Sequence, residues 1–391
     1  MPRQARAGIG ILVVIAVVSA RTPAQVSYDW TLPAGFPPPL VPTDNPMSAA
    51  KADLGRHLFY DKRLSGNQRQ SCATCHQQAR AFTDGRAGSI GSTGEVHRRG
   101  SMSLVNVAYA EALTWGNPSM IRLEDQALVP MYGDHPIELG LDHSDTWVDR
   151  LKSIPAYQRL FAAAFSGEAQ PFTRDNVVKA LATFERTIVS ARSPYDRYHF
   201  DRDDTAVSEA AKRGEVLFHS RPLSCFTCHG GIHFSNAMGS RRRSASVEFH
   251  NNGLYNLAAA LSYPATDTGL FEITHQPTDV GKFKAPTLRN IAVTAPYMHD
   301  GTVATLEEVV EHYAAGGRTI AAGPNRGVGR DNPNKSPSIQ GFALTSEQKT
   351  DLVAFLQSLT DEPLLRDPRF ADPWQQRSQA VHRVPASAPL H

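Results

Sequence analysis

Apolar residues along this chain recur mostly at helical spacing. Leu54, Leu58 and Phe59 share one face of a segment over 49–60, a stripe that a helix buries by lying against a core. Val177, Val178, Leu181, Phe184 and Ile188 repeat the pattern within 173–190, and a further helix is expected over 144–165. Leu352, Phe355, Leu356 and Leu359 follow a capping box set by Thr345 and Gln348. A second box, Thr305 with Glu308, opens a helix that Gly316-Gly317 stops. Within it Leu306, Val309, Val310 and Tyr313 recur at one-turn spacing, so Tyr313 shares the buried stripe and His312 sits off it. Periodicity alone makes Tyr313 an ordinary core tyrosine. Strand signals are few and short, and the fold expected is mainly α.

Two stretches read as punctuation. The proline-rich run 25–46 is expected as an extended arm over the surface. The turn-rich, charged run 193–204 is the expected domain boundary. Gly55-Arg56-His57-Leu58-Phe59 is echoed by Gly214-Glu215-Val216-Leu217-Phe218, which points to an internal repeat and two domains of like construction.

Each copy leads into the same chemistry. Cys72-Ala73-Thr74-Cys75-His76 and Cys225-Phe226-Thr227-Cys228-His229 use all four cysteines of the chain. A zinc site or a redox disulfide would need only the cysteines. A histidine directly after CxxC twice by chance has a probability on the order of 10⁻³ or less per motif. The pattern is that of covalent c-type haem attachment, with His76 and His229 as proximal iron ligands. Two covalently bound haem c groups are expected, in two cytochrome-c-like haem domains packed together. The N-terminal domain spans 25–200 and the C-terminal domain 201–366, with a loose tail over 367–391.

Arg3 and Arg6, an apolar run over 9–18 and small residues up to Ala24 read as a secretory signal over 1–24. No later segment is apolar for long enough to span a membrane. Export suits c-type haem, which is attached on the outer side of the bacterial inner membrane, so the periplasm is expected. Net charge +2 with 20% charged residues argues against a nucleic-acid partner, and none is expected. The basic run 239–246 reads as a solvated loop.

Lys284-Ala285-Pro286-Thr287-Leu288-Arg289-Asn290 through Ala295-Pro296-Tyr297-Met298-His299-Asp300-Gly301 resembles the signature of bacterial di-haem cytochrome c peroxidases and MauG-like enzymes. The resemblance implies that Tyr313 ligates the second haem iron opposite His229, where the peroxidases use methionine. A phenolate is a harder donor than a thioether and favours the oxidised metal. It also implies an open first site, because Ser92 stands where the peroxidases carry a blocking histidine. His97 is then a surface or supporting residue. Trp115 matches the inter-haem tryptophan, Gln126 and Pro130 match the distal pocket, and Glu138 matches its proton-carrying carboxylate. Thr294 and Pro296 resemble carbonyl ligands of a calcium site whose asparagine is replaced here by Gly100.

Asp44-Asn45-Pro46-Met47-Ser48, Phe82-Thr83-Asp84-Gly85-Arg86 and Asp367-Pro368-Arg369-Phe370-Ala371-Asp372-Pro373-Trp374 are similar to the methanobactin-associated MbnH branch. That resemblance implies an enzyme that uses hydrogen peroxide to oxidise a tryptophan of a secreted, copper-binding MbnP-like protein to kynurenine. Two other readings stay open at this point: a cytochrome c peroxidase fed by an electron-donor cytochrome, and a non-catalytic di-haem electron carrier.

Overall fold

The computed structural model describes residues 28–33, 35–239, 247–258 and 261–375. The segment 1–24, expected as a secretory signal, and the basic run from 240 to 246 lie outside the described residues. In the N-terminal lobe α1 (Ala49–Tyr60) leads to the short α2 (Cys72–Cys75), and α3 (Leu123–Tyr132), α4 (Thr146–Lys152), α5 (Pro155–Ala164) and α6 (Arg174–Arg186) follow. After α7 (Pro194–Phe200), the C-terminal lobe contains α8 (Glu209–Phe218), α9 (Phe271–Thr274), α10 (Leu306–Ala314) and α11 (Ser346–Ser358). Among the described residues sheet is confined to two antiparallel pairs, β1 (Phe249–His250) with β2 (Phe283–Lys284) and β3 (Thr319–Ile320) with β4 (Gly327–Val328). No described helix is long and apolar enough to cross a membrane.

The repeat is structural as well as sequential. α1 crosses α6 so closely that a Cβ on Gly55 would sit 1.9 Å from Ala180 O, and α8 crosses α11 so closely that one on Gly214 would sit 1.9 Å from Asp351 O. Phe184 and Phe355 stand one turn further along in the two crossings. Each helix pair therefore carries one lobe's core: Leu54, Leu58, Phe59, Leu181 and Phe184 in the first, and Phe218, Leu352, Phe355 and Leu356 in the second. Burying a side chain of this size contributes about 1.5–3 kcal/mol before entropy is counted.

Three expectations about extent change. The helix expected over 144–165 is two helices, because Pro155 lacks the N–H an interior position needs and instead starts α5 as its first residue. The run 193–204 is not a bare linker. Ser193 caps α7 in a capping box, and Asp196 on α7 is buried in a two-pronged ion pair with Arg289 (both contacts 2.8 Å). The tail is packed as far as described: Phe370 is 5% exposed, Tyr60 Oη donates to Phe370 O (2.6 Å), and Trp374 Nε1 donates to His57 O (3.0 Å). Leu364, Leu365 and Phe370 thus complete the core of the N-terminal lobe. Residues from 376 lie outside the description. The described residues of the arm over 28–46 form no helix or strand, but the arm is pinned: Phe36 is buried, and Tyr109 Oη donates to Pro37 O (2.7 Å).

Candidate haem sites

The two lobes enclose a cavity of about 890 Å³, and both CxxCH motifs open onto it. α2 winds the first motif into a single turn, with His76 N bonded to Cys72 O (2.9 Å). The second motif repeats this, with His229 N bonded to Cys225 O (3.0 Å). Cys75, His76, Cys225, Cys228 and His229 line the cavity, while Cys72 packs just behind it against the first core. None of the four is in a disulfide, and burial raises all four thiols above their usual range.

Each histidine is oriented from behind by main chain. His76 Nδ1 lies 2.8 Å from Phe82 O, and His229 Nδ1 lies 3.2 Å from Phe234 O and 3.1 Å from Pro286 O. A carbonyl can only accept, so Nδ1 carries the proton and Nε2 keeps a free lone pair. Phe82 and Phe234 both have positive φ (60° and 50°), the tight turn that swings those carbonyls inward. Burial lowers both imidazoles, His229 to about 4, which keeps them neutral and able to ligate. The donors therefore fit two covalently held haems.

The two ends of the cavity differ. α10 places Leu306, Val309, Val310 and Tyr313 on the wall. Tyr313 is near Cys225 and Cys228, and burial raises its phenol to about 12 while the Asn252 side chain bonds to it. The expected stripe is correct in direction, but His312 is also buried (6% exposed), with Nε2 3.0 Å from Asn252 O. The helix is sunk on the His312 flank, while Glu307, Glu308 and Glu311 stay exposed on the remaining face.

At the other end Glu138 lines the wall near Cys72 and Cys75, and burial alone raises its carboxyl to about 7. Its main chain is held by Ser92, whose N–H donates to Glu138 O (2.7 Å). Gly91 packs so closely there that a Cβ would sit 1.8 Å from Ile137 O. Ser92 is not on the wall, whereas His97 is, brought there by a turn back in which His97 N bonds to Ser89 O (2.8 Å). His97 was expected at the surface or in a supporting place; burial lowers its imidazole. Gln126 on α3 faces the cavity. Pro130 does not: one turn on, Val129 takes the wall, and Pro130 O accepts from Leu139 N (2.9 Å).

Trp115 lines the shared cavity, its Nε1 donating to Gly100 O (3.0 Å) and its own carbonyl accepting from Lys284 N (2.9 Å). Thr294 and Pro296 are also on the wall. Gly100, in place of an oxygen-bearing side chain, offers only its carbonyl there, and that carbonyl accepts from Trp115 Nε1. Asn252 carries no sequence signal, and Lys284 and Met298 fall within the family signature without a role of their own. All three are on the wall, and Asn252 Nδ2 donates to Met298 Sδ (3.3 Å).

Comparison with known proteins agrees with this geometry. The profile of the family described as di-haem cytochrome c peroxidase matches residues 49–205. The cytochrome-c peroxidase IdrP1 of Denitromonas iodatirespirans is 35% identical, over 91% of this chain and 94% of its own. The methylamine utilization protein MauG of Methylophilus methylotrophus is 32% identical, over 84% of this chain and 86% of its own. Among solved structures, a MauG-like protein associated with microbial copper homeostasis is 47% identical, with a TM-score of 0.86 over 89% of this chain and 99% of that one.

Proposed function

The chain belongs to the di-haem cytochrome c peroxidase family, which includes MauG, and on that premise we propose that this peroxide-dependent di-haem oxidoreductase oxidises a tryptophan of a secreted, copper-binding MbnP-like partner toward kynurenine. The observation that carries the reading is the unequal cavity, with a phenol from Tyr313 at the Cys225–His229 end and a carboxyl from Glu138 at the Cys72–His76 end. The similarity to a MauG-like protein associated with copper homeostasis supports the choice of partner.

Haem, when attached through the four cysteines with His76 and His229 as ligands, supplies the reduction of peroxide and the storage of oxidising equivalents. The chain's own residues do the rest. Glu138, buried and titrating near 7, takes a proton from one peroxide oxygen and returns it to the other. Gln126 shares that wall as a polar neighbour for the bound peroxide, and Pro130 fixes the segment carrying Glu138 through its bond to Leu139. Trp115, its indole fixed by Gly100, offers an oxidisable ring between the two motifs. Tyr313, at the His229 end of the cavity, would hold the second haem iron through its phenol oxygen, the metal taking the place of the phenol proton. The partner's tryptophan is oxidised at a distance, from a docking surface. Export to the periplasm by the segment 1–24 belongs to the same reading.

The test is to add hydrogen peroxide to the fully ferric protein with the co-encoded secreted partner and follow the partner by mass spectrometry. One tryptophan should convert toward kynurenine, and Trp115→Phe should slow that conversion while leaving peroxide binding nearly intact. If the partner stays unmodified while a reduced cytochrome c sustains rapid peroxide turnover, the protein is a scavenging cytochrome c peroxidase.

A further inference from the structure

Lys284 ends β2, and its backbone N–H donates to Trp115 O, which fixes the strand to the wall of the shared cavity. The residue is 5% exposed and lines that wall. Among the described residues no carboxylate meets its ammonium. Burial by itself pulls the group down to about 8, with no neighbouring charge opposing the pull. The other basic residues of the wall are placed differently. Arg98 pairs with Glu272 (2.6 Å), Arg99 with Asp267 (2.6 Å) and Arg289 with Asp196 (2.8 Å), while Arg221 is exposed to water. Glu138 is the single acidic residue on the wall among the described residues, and its own shift comes from burial with no cation in it, so it is not the partner of Lys284.

A buried ammonium without an anion is strongly disfavoured, and such a group either finds an anion or gives up its proton. The chain does not supply that anion at Lys284. Each haem, when bound, would supply two propionate carboxylates as candidate partners. We infer that Lys284 binds a haem propionate where the two haem sites meet, as the buried counter-ion that ties one cofactor to the strand holding Trp115. Lys284 is then a positioning residue. The inference rests on the two-haem reading and on nothing about what is oxidised.

The experiment compares wild type with Lys284→Gln, Lys284→Met and Lys284→Arg, each matured as the full chain with both haems. Two quantities are read: the midpoint potentials by spectroelectrochemistry, and the propionate bending bands by resonance Raman. Removing a nearby positive charge favours the ferric state, so the neutral variants should lower the midpoint of one haem and shift its propionate band. Lys284→Arg should hold both near wild type. Failure of both neutral variants to retain haem, with Lys284→Arg intact, would show the same need for charge. Unchanged bands and potentials in either neutral variant would overturn the assignment, as would equal disturbance by all three substitutions. Shifted potentials together with an unmodified partner protein would uphold it while removing the tryptophan reading.

Discussion

Glu138 is a carboxyl that burial holds near 7 with no cation to oppose it. Between the usual carboxylate range and about pH 7 the folded protein therefore binds a proton that the unfolded chain has lost. Its contribution to stability falls as pH rises through that window. The base form needed to accept the first peroxide proton appears over the same rise, so the peroxide step should climb through about pH 7 to a plateau. Glu138→Gln should slow that step by about 10²–10⁴-fold and flatten its pH profile in stopped-flow mixing. A variant that kept both rate and profile would move the proton elsewhere, with His97 the next residue to test. At the opposite end Tyr313→Phe should remove one low-spin signal from the EPR spectrum of the ferric protein, because the other α10 residues on the cavity wall are Leu306, Val309 and Val310, and Glu311 of the same turn is engaged outside with Lys349 (2.6 Å). Tyr313→Met should raise the midpoint potential of the same haem, a softer donor favouring ferrous iron. An unchanged spectrum in Tyr313→Phe would return the residue to the core, the role periodicity alone assigns it.

At the scale of elements, the two helix crossings share one requirement. Gly55 and Gly214 allow backbone to meet backbone, and the listener to that demand in each case is a carbonyl in the middle of the facing helix, Ala180 or Asp351. A carbonyl inside a helix cannot rotate away as a long side chain could. Gly55→Ala and Gly214→Ala should each cost about 1–3 kcal/mol or more in chemical denaturation, by pushing α1 off α6 or α8 off α11. A loss no larger than at an exposed helix glycine would mean that the crossings give way easily. The sequence showed the glycine in both copies and its phase relative to Leu-Phe. It did not show the facing halves, since Ala180-Leu181 to Phe184 and Asp351-Leu352 to Phe355 share too few residues to stand out until α6 and α11 are seen in equivalent places.

Across the whole molecule the lobes are joined by buried polar groups. Asp361 accepts from Ser190 Oγ and from the backbone N–H groups of Ala191 and Arg192, and Asn290 bonds both Ser190 and Asp361. Arg289, 1% exposed, pairs with Asp196 across the expected domain boundary. Arg289→Met would leave Asp196 buried without its cation and should cost about 3–5 kcal/mol in urea unfolding. A loss within that of a surface substitution would mean the lobes are held by their apolar contacts alone. The sequence by itself determined the covalent chemistry, the helical character, the repeat and the helix starts, because these rest on local spacing: CxxCH, one-turn periodicity, and capping boxes at Thr305 and Thr345. It also carried Tyr313 and Glu138 through family resemblance. Only the tertiary structure decided that 367–375 closes the first core, that His97 reaches the cavity while Pro130 does not, and that Lys284 is buried without a partner. Each of those depends on what lies across a gap from the residue, and burial and charge pairing are properties of two surfaces brought together, which no stretch of one strand or helix contains.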